Sequence, residues 1–358
     1  MNIVRSIFAL TALAATGTWA AEPATYHCDR LVKAGTNAHD INDRGVVAGA
    51  TSVKSEGWYP AIWRQRQVQT LPQVAGFERA TNIARAINRK GDLAGNVNDQ
   101  GYQLAALWID GIGKTLPSFP NGSSPTSEAV AINDRGQAVG YSTNSMARKH
   151  AALWKNGSVI DLGALVGQQG VHKTDSQANA INASGMIVGR SGGPRSRKQA
   201  VQWTDGTRAS LVDLGATAFG VESEALSVNA EGVVVGYSTV GDTSQPNRPI
   251  GWIGGVGFDL KPFAGAEGSV AQDINDAGTV VGHIETGDRG AIVWPHYNDE
   301  PIDLNSLLDA TGCQGPAGQT YRLTHSMAIN NNGEILAGSF VLDEGVFESF
   351  RLTPVSNR

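Results

Sequence analysis

Seven near-copies of one ten-residue stretch run along this chain, and that repetition constrains the fold more than any other feature. The clearest copy is Ala131-Ile132-Asn133-Asp134-Arg135-Gly136-Gln137-Ala138-Val139-Gly140. Small and apolar residues alternate up to Ile132, Asn133 and Asp134 open a turn, and Gly136 supplies the positive φ that lets the chain reverse toward Val139. Asn at the first turn position with Gly three residues later is the type I signature. A lone two-stranded ribbon is marginal in water, so the hairpin acquires meaning only by being repeated.

The other copies are Asp40-Ile41-Asn42 to Gly49, Ala86-Ile87-Asn88 to Gly95, Ala180-Ile181-Asn182 to Gly189, Ser227-Val228-Asn229 to Gly236, Asp273-Ile274-Asn275 to Gly282, and Ala328-Ile329-Asn330 to Gly338. Their apolar anchors, residues 41, 87, 132, 181, 228, 274 and 329, lie 46, 45, 49, 47, 46 and 55 residues apart. That period matches a four-stranded propeller blade rather than a helical solenoid unit.

After each hairpin come a variable loop and a strand ending in an aromatic, such as Pro60-Ala61-Ile62-Trp63 or Ala151-Ala152-Leu153-Trp154; the seventh is weaker, Ser349-Phe350-Arg351-Leu352. A short turn then leads to a fourth strand, as in Val159-Ile160-Asp161-Leu162-Gly163. The seventh unit runs out of chain before a fourth strand, whereas Thr25 to Val32 forms an unpaired strand-like segment ahead of the first hairpin. Pairing that segment with the last unit closes the ring. The expected fold class is all-β, a seven-bladed β-propeller with four-stranded blades, occupying residues 21–358 as a single domain. The only two cysteines are Cys28 in the closing segment and Cys313 in the long connection into unit seven. Closure brings them together, and the chain-entropy model gives such a crosslink about 5 kcal/mol.

Residues 1–20 read as a secretory signal: Arg5 is the charged start, Ile7 to Ala15 the apolar core, and Thr18-Trp19-Ala20 the small-residue cleavage site. The core is too short to cross a membrane and no later stretch is apolar enough, so the expectation is a secreted or periplasmic protein without a membrane span. Without Arg5, 27 basic residues face 33 acidic ones. No global field is available to hold a phosphate backbone, and nucleic acid is not an expected partner. No Pro-rich or Ser-rich linker interrupts the repeat, and a monomer is expected. The chain has no Gly-rich phosphate loop, no Gly-x-Ser-x-Gly elbow and no zinc-ligand spacing, so neither cofactor nor metal is expected.

The Asp-Ile-Asn-Asp-Arg-Gly type of turn, His150-Ala151-Ala152-Leu153-Trp154, Asp161-Leu162-Gly163 and the closing Phe350-Arg351-Leu352-Thr353-Pro354-Val355 together resemble the HAF-repeat family of extracellular bacterial proteins, named for a His-Ala-Phe at the start of the third strand. The resemblance extends over essentially all of the mature chain and implies secretion and a propeller-like fold. It implies no reaction. Only unit three keeps the His; Tyr59, Leu104, Gln199, Arg248, Gly290 and Glu348 stand at the equivalent places.

Propeller geometry sorts the surface. The tight turns lie on one face, and the variable loops on the other, where binding sites usually sit on a rigid scaffold. The first strands line the channel, and four positions before each anchor stand Asn37, Ile83, Glu128, Gln177, Glu224, Val270 and His325, a mixture suited to lining a ligand. One position further back, Thr36, Asn82, Ser127, Ser176, Ser223, Ser269 and Thr324 are all small and polar, which suits hydrogen bonding at strand starts.

Glu128 and Glu224 are candidate catalytic carboxylates, because glycoside cleavage needs two acids facing one bond. His325 and His39, in neighbouring units once the ring closes, are further catalytic candidates at the channel mouth. Cations gather before the third strands of three consecutive units: Arg148, Lys149 and His150, then Arg195, Arg197 and Lys198, then Arg248. With Gln177 these form the expected ligand-binding set, able to hold an anionic polysaccharide or cell-envelope component through carboxylate contacts. The functional expectation is a secreted binding protein rather than an enzyme. The alternative is a polysaccharide hydrolase or lyase acting at the channel mouth.

Overall fold

The computed structural model describes residues 24–31, 36–53, 57–120, 126–165, 175–192, 197–204, 211–213, 220–285 except 241–245, 290–315, 318–341 and 346–355. The proposed signal segment and Arg195 lie outside them. Seven four-stranded antiparallel sheets follow one another around a central axis. Blade three shows the plan, with strands Ser127–Ile132, Ala138–Thr143, Lys149–Lys155 and Ser158–Gly163 in that spatial order. Blade seven consists of His325–Ile329, Ile335–Val341 and Val346–Val355, and its outermost strand is the N-terminal Thr25–Arg30.

The hairpin at the heart of the repeat forms as its residues dictate. In blade three the Gly136 N–H donates to the Asn133 carbonyl at 3.0 Å, and Gly136 has φ of 72°. The Asn133 Oδ1 also accepts from the backbone N–H groups of Arg135 and Gln137. Its Nδ2 has a further use: it donates to the carbonyl of Asn182, the turn asparagine of the next blade. The same bond joins Asn42 to Asn88, Asn88 to Asn133, Asn182 to Asn229, Asn229 to Asn275, Asn275 to Asn330, and Asn330 back to Asn42, at 2.9 to 3.2 Å. Seven side chains thus close a hydrogen-bonded circle around the axis on the turn face.

In every blade the pairing of first and second strands skips one residue, two positions before the anchor. This β-bulge presses the first strand against the second. At Gly49, Gly95, Gly140, Gly189, Gly236 and Gly282, an added Cβ would collide with the carbonyl oxygen of the residue four before the anchor. The closing glycine of the repeat is therefore needed for close approach rather than for the turn. In blade seven the register puts Ala337 opposite Ser326, so Gly338 falls one residue beyond the structurally equivalent position.

The core lies between blades. Trp108 packs with Val46, Ala48 and Ile62 of blade one as well as with Ala84 and Leu93 of its own blade. Its indole Nε1 donates back to the Pro72 carbonyl at 3.1 Å, and Trp154, Trp203 and Trp294 donate in the same way to Pro117, Leu162 and Lys261. Leu352 fills the corresponding place in blade seven, opposite Ile335, and is fully buried. The small polar residues at the first-strand starts also join blades: Ser127, Ser176 and Ser223 accept from the N–H groups of Ala105, Ala151 and Ala200 on the preceding blade.

Ring closure follows the expected route. Thr25 to Arg30 pairs residue by residue with Val355 to Phe350. Cys28 and Cys313 form a disulfide across a sequence separation of 285, with Cα atoms 5.1 Å apart. Arg30 donates to both oxygens of Glu348, at 2.9 and 2.7 Å, and His27 Nδ1 lies 2.7 Å from Asp309 Oδ2. Asp309 follows the short 3₁₀ turn Leu304–Leu307 in the connection that carries Cys313, so that long insertion serves closure.

Candidate functional site: the channel mouth and loop-rich face

Strand alternation determines what the channel contains. A strand presents every second residue to one face, so His39, Arg85, Asn179, Gln272 and Met327, two residues beyond the positions four before each anchor, share that channel face. A second contribution comes from the second strands, where Tyr141, Arg190, Tyr237 and His283 pair with Glu128, Gln177, Glu224 and Val270. The second-strand residues lie beyond a reading of the first strand alone.

Both candidate carboxylates have fixed partners. Glu128 Oε1 accepts from Arg85 Nε at 2.8 Å, and Arg85 Nη1 in turn donates to His39 Nε2 at 3.4 Å. Glu224 Oε1 lies 3.0 Å from Arg190 Nε and accepts from Asn179 Nδ2 at 2.9 Å, while its Oε2 accepts from the Tyr237 hydroxyl at 2.9 Å. Gln177 Oε1 accepts from Arg190 Nη2 at 3.1 Å. Burial, reinforced by the adjacent Glu128, holds the Tyr141 phenol up at about 12, and burial followed by Glu224 raises Tyr237 as well. The phenols therefore stay protonated as donors.

His39 and His325 do converge, around a cavity that neither glutamate lines. With Gln272, His283, Ser326 and Met327 they line a cavity of about 270 Å³ under blades six, seven and one. The His283 and His325 rings are 4.8 Å apart between centroids. Burial, with help from the Arg85 charge, lowers His39 to about 4, so its imidazole is neutral at physiological pH. No group of three or more His, Cys, Asp or Glu side chains able to hold a metal occurs among the described residues. At the opposite end of the channel, the asparagine circle walls a cavity of about 250 Å³.

The cations occupy two environments. Arg148, Lys149, Arg197, Lys198 and Arg248 are exposed at the starts of the third strands of blades three, four and five. Lys149 and Lys198 share one register position, opposite Thr143 and Gly192, and the Lys149 ammonium stands 4.1 Å from the centre of the Tyr141 ring. His150 is instead buried, with Nδ1 at 3.0 Å from Asp161 Oδ1 and Nε2 at 3.3 Å from Asn144 Nδ2. Its role in this position is to hold the third strand to the fourth.

The fold and this arrangement of channel and loops define a seven-bladed β-propeller. A family described as a protein of unknown function, DUF3466, matches residues 116–253, which run from the approach to blade three to the third strand of blade five. No curated protein matches the chain. Among solved structures, the chain is similar to the β-propeller domain of the trilobed protease from Pyrococcus furiosus, described as having an open velcro topology, with 11% identity, a TM-score of 0.52, and 90% of this chain and 98% of that one covered. It is also similar to the GH74 xyloglucanase from Xanthomonas campestris, with 11% identity, a TM-score of 0.52, and 90% of this chain but 55% of that one covered. At these identities the likeness establishes the fold alone. Here the outer strand of the last blade comes from the other end of the chain.

Proposed function

We propose that this chain is an exported propeller of the HAF-repeat type that binds an anionic polysaccharide, or a polyanionic envelope component, on the loop-rich face of blades three to five. The observation that carries the reading is the recurrence of exposed cations at the third-strand starts of three consecutive blades, two of them in identical register. A rigid sheet fixes the spacing between such charges, so a polyanion can meet several at once without first ordering them. The paired channel glutamates support binding over catalysis: a general acid must present a proton to a leaving group, whereas each of these carboxylates faces an arginine.

The test is to incubate the protein with acidic and neutral polysaccharides while recording both retention and released oligosaccharides. Retention of acidic polymers without product release is the expected result. Release that disappears in Glu128→Gln and Glu224→Gln would establish a hydrolase or lyase instead.

A further inference from the structure

Blades three, five and seven place ionisable residues at the same two register positions, one at the start of the third strand and one on the fourth. In blade three these are His150, opposite Ser142, and Asp161, opposite Ala152. In blade seven they are Glu348, opposite Ser339, and Arg30, opposite Phe350. Both pairs are closed, at 3.0 Å for His150 and Asp161 and at 2.7 Å for Arg30 and Glu348. The blade-five equivalents are Arg248, opposite Ser238, and Asp259, opposite Ile250. They carry opposite charges and are both exposed, yet no hydrogen bond or ion pair joins them.

Where the other two blades are sealed, blade five has a cleft of about 300 Å³ against the approach to blade six. Its walls are fixed by backbone bonds: Leu260 N–H donates to the Pro249 carbonyl at 3.2 Å, and Ala266 N–H to the Phe263 carbonyl at 3.1 Å. Asn247 donates through its backbone N–H and its Nδ2 to the Glu285 carboxylate, at 3.2 and 2.7 Å, which leaves its Oδ1 available as an acceptor. The cleft thus combines the Arg248 guanidinium, the Asp259 and Glu267 carboxylates as acceptors, and an apolar wall of Pro249, Leu260 and Pro262.

We infer that this cleft is a subsite for one pyranose-sized unit bearing a carboxylate, a uronic acid residue. Arg248 takes the carboxylate through its two-pronged donor geometry, Asp259 and Asn247 Oδ1 accept from ring hydroxyls, and the apolar wall faces the carbon–hydrogen side of the ring. The volume is at the small end of ligand pockets and suits a single sugar ring. The inference rests on the acidic-glycan reading above and extends it by assigning the place where one residue of the polymer is recognised.

Calorimetric titration of the full chain with D-glucuronate, and separately with D-glucose, tests this. Glucuronate should bind in preference to glucose. Arg248→Gln should weaken glucuronate binding by about tenfold or more, the usual scale for loss of a charge-assisted bidentate contact. Arg248→His copies blade three, and by closing on Asp259 it should abolish binding while leaving the fold intact, because position 248 is exposed. Arg197→Glu should weaken retention of an acidic polymer yet leave glucuronate binding unchanged. Equal binding of glucose and glucuronate, insensitivity to Arg248→Gln, or absence of monomer binding alongside strong polymer retention would overturn the subsite. Arg248-dependent monomer binding without polymer retention would keep the subsite and remove the polyanion reading. Binding of neither would remove both.

Discussion

Asn133 shows how much one residue of the repeat does. Its Oδ1 organises its own turn while its Nδ2 binds the next blade, so replacing it by Ala removes both and leaves buried backbone groups without partners. Asn133→Ala should lower the unfolding free energy by about 2 kcal/mol in denaturant titrations; an unchanged midpoint would show that the circle is not a stability element. Two channel residues give pH dependences of opposite sign. Burial holds the Asp273 carboxyl up at about 7, despite hydrogen bonds from Ser227 and the Ile329 N–H, against 3.8 when unfolded. Between those values the folded chain keeps a proton that the unfolded chain has lost, so this contribution to stability falls as pH rises. His39 is lowered from 6.5 to about 4, so in that window the unfolded chain holds the extra proton and stability rises with pH. Asp273→Asn should therefore steepen the rise in stability between about pH 4 and pH 6.5, and His39→Gln should flatten or reverse it, as measured by denaturant titrations across that range.

At the scale of elements, the N-terminal strand decides whether the ring holds. It is fastened by backbone pairing, the disulfide, and the Arg30–Glu348 and His27–Asp309 contacts. Arg30→Ala strands a carboxylate whose side chain is only 8% exposed, and the loss should be about 3 kcal/mol. Restoring the pair in reverse, with Arg30→Glu and Glu348→Arg, should recover most of it in thermal melts. Removing the crosslink with Cys28→Ser and Cys313→Ser should cost about 2 to 5 kcal/mol, since a very long loop is released in the unfolded chain. If the double variant melts like the parent, the strand is held by pairing alone.

For the whole molecule, the architecture was legible because the anchor spacing, the turn asparagines and the unpaired Thr25 to Val32 segment all required the same closed ring. Cys28 and Cys313 were readable for the same reason. The site was legible only in part. Exposed cations such as Lys149 and Lys198 can be found by position in the repeat, but His150 looks identical in sequence and is buried against Asp161. Arg85 and Arg190, which face the two glutamates, could not be assigned: Arg85 reaches Glu128 across the boundary between two blades, and Arg190 sits on a different strand from the channel-lining set. Likewise, the open Arg248 and Asp259 positions differ from their sealed counterparts only through three-dimensional register.

The proposed polyanion site makes one demand that no structural role of these cations would share. Binding of polygalacturonate should be measured as salt is raised from about 50 to about 500 mM, for the parent chain and for the Arg197→Glu, Lys198→Glu double variant, because added ions shorten the reach of exposed charges. The account predicts affinity that falls steeply with salt in the parent, and a weaker, flatter dependence in the variant. Affinity that is indifferent to salt, or equal in the two proteins, would contradict it.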